Sequence, residues 1–105
     1  MTKVKITVKE AAIIRAIIAI EKSGKTSFNI DEMCEKVYSA GGLKKPKWWR
    51  TSMTGSLKDL AFKLEQIGGF RLRRISGLGA GQLGEYEFAG DFAKLLRKEE
   101  ASALL

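Results

Sequence analysis

Between Gly41 and Ile75 the sequence holds nine Lys/Arg against two Asp/Glu, and the rest of the chain holds ten of each. The formal excess of +7 on 105 residues therefore sits in one third of the chain. Ammonium and guanidinium groups bind anions through charge-assisted hydrogen bonds, and the arginine fork matches a phosphate or a guanine edge. A basic helix pattern runs here directly into a basic strand pattern, which is chemistry suited to a polyanion, above all nucleic acid.

Within that stretch the candidate contacts fall into two groups. Lys44, Lys45, Lys47, Trp48, Arg50, Thr51, Thr54 and Lys58 belong to a helix and the residues leading into it; Arg71, Arg73 and Arg74 belong to a strand. Arg50 is the best candidate for a guanine, since a bidentate bond to O6 and N7 is worth about 1 to 3 kcal/mol of discrimination. Thr51 and Thr54 suit phosphates or thymine methyls, and the lysines suit phosphates. Gly55 permits close backbone approach, although a mid-helix glycine costs about 1 kcal/mol against alanine. Trp48 lies off the apolar stripe; stacking under Arg50 or Lys44, packing on the preceding helix and touching nucleic acid are its options, packing being the commonest. The bland alternative for the whole region is a solvated basic helix face. Arg71 and Arg73 are expected opposite Glu85 and Glu87, an exposed pairing worth under about 1 kcal/mol, which leaves phosphate binding open to them. Arg74, near the hairpin tip, is the preferred hairpin contact to a phosphate or a minor groove.

Other chemistries are poorly supplied. Histidine is absent and Cys34 is the single cysteine, so histidine-based triads, zinc sites and an intrachain disulfide are excluded. Cys34 lies on an apolar stripe and is expected as a buried structural thiol in a reducing compartment. The acidic residues occupy capping and hairpin positions with no acid–base or metal spacing, so the chain is read as a non-enzyme without cofactor or metal. Gly77 to Gly84 (GLGAGQLG) lacks the Lys-Ser/Thr of a phosphate loop and joins two strands, which fits a flexible hairpin tip. The apolar run from Ala11 to Ile20 is half the roughly 20 residues of a membrane span, and no secretory signal is expected.

The elements that must position these groups are legible in order. Thr7 and Glu10 spell a capping box for a helix reaching about Lys22 and stopping at Ser23-Gly24. Its apolar residues cover more than one face, as in a central core helix, with a dimer seam as the alternative. Lys25 to Ile30 reads as a short strand, after which Asn29 caps a second helix ending at Gly41-Gly42. Pro46 suits the first turn of a third helix, where Trp49, Met53, Leu57, Leu60, Leu64 and Ile67 form one stripe ended by Gly68-Gly69. Lys47, Trp48, Thr51, Thr54, Gly55 and Lys58 then face away from the core, with Arg50 flanking. Phe70 to Ser76 and Glu85 to Ala89 pair as a hairpin, in a register that puts Phe70, Leu72, Tyr86 and Phe88 on one face. Asp91 caps a last helix with Phe92, Leu95 and Leu96 inward, and residues 100–105 form a frayed tail of a single 1–105 domain.

This order of helix, strand, helix, helix, hairpin, helix resembles the winged helix-turn-helix domains of DNA-binding proteins. The resemblance is carried by the Phe28 to Asp31 junction, by Thr51 to Leu60 (TSMTGSLKDL) continued through Glu65 to Phe70 (EQIGGF), and by the hairpin from Arg71 (RLRRISG) back to Tyr86-Glu87-Phe88. It covers about residues 7 to 90 and is architectural, without a diagnostic motif. It implies a mostly α fold with a small β-hairpin (α+β), in which the third helix enters a major groove and the hairpin lies along backbone or minor groove. One departure is the Ser39 to Pro46 connection, longer than the usual turn of about three or four residues. The expected function is a double-stranded DNA-binding protein, a small cytoplasmic regulator of transcription or of another DNA transaction. Homodimerisation through the first or last helix is a further expectation, with no membrane partner. The alternatives are a winged helix that inhibits or recruits an acidic protein partner and a binder of structured RNA.

Overall fold

The computed structural model describes residues 5–39, 43–76 and 84–97. Helix α1 spans Val8–Lys22, and its capping box forms as the sequence requires: the Thr7 hydroxyl accepts from the Glu10 backbone N–H, and the Thr7 N–H donates to Glu10 Oε1. Ala12, Ile13, Ile14, Ala16, Ile17 and Ile20 are all buried, so α1 is a central core helix, while Val8 is exposed and Ile18 half-buried.

Strand β1 (Ser27–Asn29) passes directly into α2 (Ile30–Cys34), where Asn29 Oδ1 caps the Glu32 N–H at 2.8 Å. The helix widens into a π-helical turn over Glu35–Ser39 that keeps Val37 and Tyr38 buried. Its expected stop at Gly41-Gly42 lies outside the described residues. Residues 43–46 are not helical, and α3 spans Trp49–Ile67 with Trp48 as N-cap residue. Pro46 therefore does not sit in the first turn of α3, and Lys47 and Trp48 precede the helix. The apolar stripe begins at Trp49, and Lys44 to Trp48 are all exposed, so burial supports the helix only from Trp49 onward.

Strands β2 (Arg71–Ser76) and β3 (Glu85–Ala89) pair antiparallel, Leu72 opposite Phe88 and Arg73 opposite Glu87, which is the expected register. The expected flexible tip at Gly77 to Gly81 lies outside the described residues. The pairing shifts between Arg74 and Ser76, so Glu85 faces Ser76, and Ile75 is exposed. β3 also pairs with β1, giving a three-stranded sheet in the order β1-β3-β2. Its inner face joins Phe28, Tyr86 and Phe88 in stacked contacts, with Phe92 edge-on to Phe88. Residues 92–97 form a last helix, α4, whose Lys94 N–H is capped by Asp91 at 3.0 Å. Phe92 and Leu95 point inward, and the expected tail at 100–105 lies outside the described residues. The result is a compact α+β domain, mostly helical with a small antiparallel sheet; among the described residues no helix is long and apolar enough to cross a membrane.

Two contacts fix this arrangement in ways that single substitutions expose. Gly90 has φ +123°, and a Cβ there would stand 2.6 Å from Phe70 Cδ1 and 2.9 Å from the Gly69 carbonyl. Gly90→Ala should lower stability by about 2 kcal/mol in urea titrations, from backbone strain and overpacking together. Glu10, only 3 % exposed, accepts from Lys63 Nζ at 2.6 Å and ties α1 to α3. Burial pushes its carboxyl upward, but Lys63 and the Thr7 donors outweigh that and hold it below the ordinary 4.5. A lowered folded pKa stabilises above the ordinary value and loses that contribution as pH falls through the folded one. Melts recorded from pH 7 to pH 3 should show this acid limb, and Glu10→Gln should flatten it while costing about 2 kcal/mol at neutral pH.

Candidate nucleic-acid interface

The α3 stripe settles which side chains meet solvent. Met53, Leu57, Leu60 and Leu64 are buried against α1 and α2, Trp49 is half-buried, and Ile67 at the end of the stripe is 38 % exposed. On the opposite side Thr51, Gly55 and Lys58 are exposed along a row about 10 Å long. Thr54 is half-buried and turns its hydroxyl back onto the Arg50 carbonyl at 2.9 Å. Lys44, Lys45 and Lys47 are exposed just before the helix.

No acidic residue occurs from Lys36 to Lys58, and α3 has neither a side-chain cap nor an acid in its first turn. The positive end of the helix dipole therefore adds to the lysines. Among the described residues Lys44, Lys45, Lys47 and Lys58 have no carboxylate within salt-bridge reach. Among the described residues, the lead-in to α3 and its N-terminal half thus form an open cationic surface.

Arg50 is placed differently from the expectation. Its Nε and Nη2 both donate to Asp31 of α2 at 2.9 Å, and its guanidinium lies 4.7 Å from the Trp49 ring centre. The Asp31 bond raises the Arg50 pKa, and one edge of the fork is occupied while the Nη1 side remains. Trp48 does not pack on α2: it is 71 % exposed, and the cation over its ring is Lys47 at 5.5 Å. Arg50 stacks on Trp49 instead, as does Lys45 at 4.1 Å. Lys47, Trp48, Trp49, Arg50 and Thr51 together line a shallow hollow of about 150 Å³.

The hairpin arginines are more committed than their number suggests. Arg73 bonds Glu87, and Arg71 Nη1 approaches the same carboxylate at 4.0 Å, so Glu87 and not Glu85 serves both. Arg74 is half-buried opposite Tyr86, its guanidinium against Gly84, where a Cβ would stand 3.2 Å from Arg74 Cζ. Burial raises the Tyr86 pKa and the Arg74 charge opposes that rise, as expected for a nearby guanidinium. Arg74 is therefore held on the apolar side of the strand, as its parity dictates, and does not project from the tip.

Two features had no counterpart in the sequence reading. Asp31, the anchor of Arg50, is separated from it by 19 positions, so no periodic pattern joins them. A groove of about 690 Å³ is lined by Lys58 and Asp59 of α3, Arg71 of β2, Lys9, Lys63 and the 63 % exposed Phe62. The spacing of Phe62, five residues beyond Leu57 and two before Leu64, was a signal that it leaves the buried stripe. Cys34 is buried, and burial followed by the Asp31 charge pushes its thiol up to about 11, which leaves it protonated and unreactive. Among the described residues no group of acids and cysteine is arranged to hold a metal.

No known protein family, curated protein or solved structure matches the chain. The chemistry of the α3 face must therefore speak for itself, and Gly55 offers a test. A Cβ at Gly55 would have nothing within 4 Å, so the fold does not need this glycine. Gly55→Ala should raise stability by about 0.5 to 1 kcal/mol in denaturant titrations.

Proposed function

We propose that this chain is a winged helix-turn-helix domain that binds double-stranded DNA without catalysing a reaction. It would act as a small regulator of transcription or of another DNA transaction. The observation that carries the reading is the exposed N-terminal half of α3: a row of Thr51, Gly55 and Lys58, preceded by three exposed lysines, with the first carboxylate of the helix only at the exposed Asp59. A helix of this kind fits a major groove, its hydroxyls and cations reaching phosphates and base edges. Gly55, dispensable to the fold, lets a DNA backbone come close. The element order supports the same reading, with β2 and β3 as the wing and β1 pairing with β3. In this arrangement Arg50 meets DNA through its Nη1 side while Asp31 holds the other edge. Lys44, Lys45, Lys47 and Lys58 supply most of the phosphate contacts, and Arg71 and Arg73 contribute from the wing despite Glu87.

A protein-binding role is favoured by one feature, the Phe62 groove, whose aromatic wall a duplex would leave uncovered. Salt separates the two. Binding to phosphates releases counterions and falls steeply with ionic strength, whereas a dry protein contact survives moderate salt.

Duplex affinity measured at several salt concentrations tests the proposal. Lys47→Glu with Arg50→Glu should abolish binding, and Lys47→Glu with Lys58→Glu, which leaves the Asp31 contact intact, should weaken it and reduce the salt slope by about two. Unchanged affinity and slope in both variants would overturn the reading.

A further inference from the structure

Trp48 and Trp49 are adjacent in sequence but differ in what covers them. Trp49 is half-buried, with Lys45 and Arg50 at 4.1 and 4.7 Å from its ring centre. Trp48 stays 71 % exposed, and among the described residues its ring has one cation, Lys47, at 5.5 Å. A large indole left in water forgoes the free energy that burial would give, and nothing in the packing of α3 demands its exposure. Cations stand close to it: Lys47 and Arg50 line the same hollow along with Thr51, and the exposed Lys44 and Lys45 precede it in the chain.

An open π-face among cations matches one ligand chemistry closely, a nucleobase with its flanking phosphates. The base stacks on the ring while lysines take the phosphates. In a continuous duplex each base is covered on both faces by its neighbours and offers only its edges. Stacking on Trp48 therefore requires a base that is not paired. We propose that Trp48 is a stacking platform for an unpaired DNA base, and that the domain prefers a site where duplex gives way to single strand. The inference rests on the reading of α3 as the duplex-binding helix, since Trp48 is the N-cap residue just before that helix and would stand at one end of its contacts with the duplex.

The experiment compares three probes at one salt concentration by fluorescence anisotropy: a blunt duplex, the same duplex with a short oligothymidine overhang, and oligothymidine alone. The wild-type chain should bind the overhang duplex about tenfold more tightly than the blunt one. Trp48→Ala should remove that preference, bringing the affinity for the overhang duplex down to that for the blunt one, and Trp48→Phe should retain most of it. Because the side chain is exposed, both variants should melt like the wild type, which separates loss of stacking from loss of fold. Equal wild-type affinity for blunt and overhang duplexes overturns the platform and leaves the duplex reading standing, as does an equal loss on both probes in Trp48→Ala. Failure of the blunt duplex to bind at low salt overturns the duplex reading instead. Trp48-dependent binding of oligothymidine in that case would keep the platform, and its absence would overturn both.

Discussion

A helix with a single apolar stripe can be buried on one side only, and α3 obeys that restriction over most of its length. Met53, Leu57, Leu60 and Leu64 are each at most 1 % exposed. Their burial offers the largest gain available to this segment, so the opposite row of Thr51, Gly55 and Lys58 must face water. The same constraint carries into the sheet. α3 ends at Gly68 and Gly69, both with positive φ, and the chain turns so that Leu72 joins the core that holds Leu64. Once Leu72 points inward, strand alternation sends Arg71 and Arg73 outward.

Charge is distributed within that frame by a few carboxylates. Asp31 and Arg50 form an exposed pair that adds little to stability, as such pairs generally do. Its effect is positional: it holds the guanidinium beside Trp49, at the boundary between α2 and α3. Glu87 similarly draws Arg73 and, more weakly, Arg71. The sequence counts these arginines equally with the lysines, but paired and unpaired cations contribute very differently to the field a ligand meets. Among the described residues, Lys44, Lys45 and Lys47 remain uncompensated just before α3, where the helix dipole has the same sign.

The sheet has its own hub in β3, which is hydrogen-bonded on both sides. Tyr86 and Phe88 stack on Phe28 of β1 while Phe88 stands opposite Leu72 of β2. A one-residue slip in either pairing would turn these aromatics to water, so the register is strongly specified. The shift between Arg74 and Ser76 occurs where the apolar pairing ends and no such penalty applies. At Gly84 the close approach of Ile30 and Arg74 shows how tightly the start of α2 and the hairpin meet.

By itself, the sequence determined whatever rests on neighbours along the chain. The Thr7–Glu10 box, the Asn29 and Asp91 caps, the stripe of α3 and the hairpin register were all legible, because capping and periodicity act over a few residues. The concentration of positive charge between Lys44 and Lys58 was legible from the sequence, but its placement on one helix face was not, because Lys44, Lys45 and Lys47 precede α3. Only the tertiary structure decided which cations stay open. Asp31 meets Arg50 across two helices, Glu87 takes both neighbouring arginines, and Arg74 folds over Gly84. It also decided that α3 starts at Trp49 and that Trp48 stands exposed while Trp49 does not, since burial depends on which elements pack around a side chain. The third strand partner of the hairpin and the groove beside Phe62 belong to the same category: each is made by segments remote in sequence, and no local pattern brings such segments together.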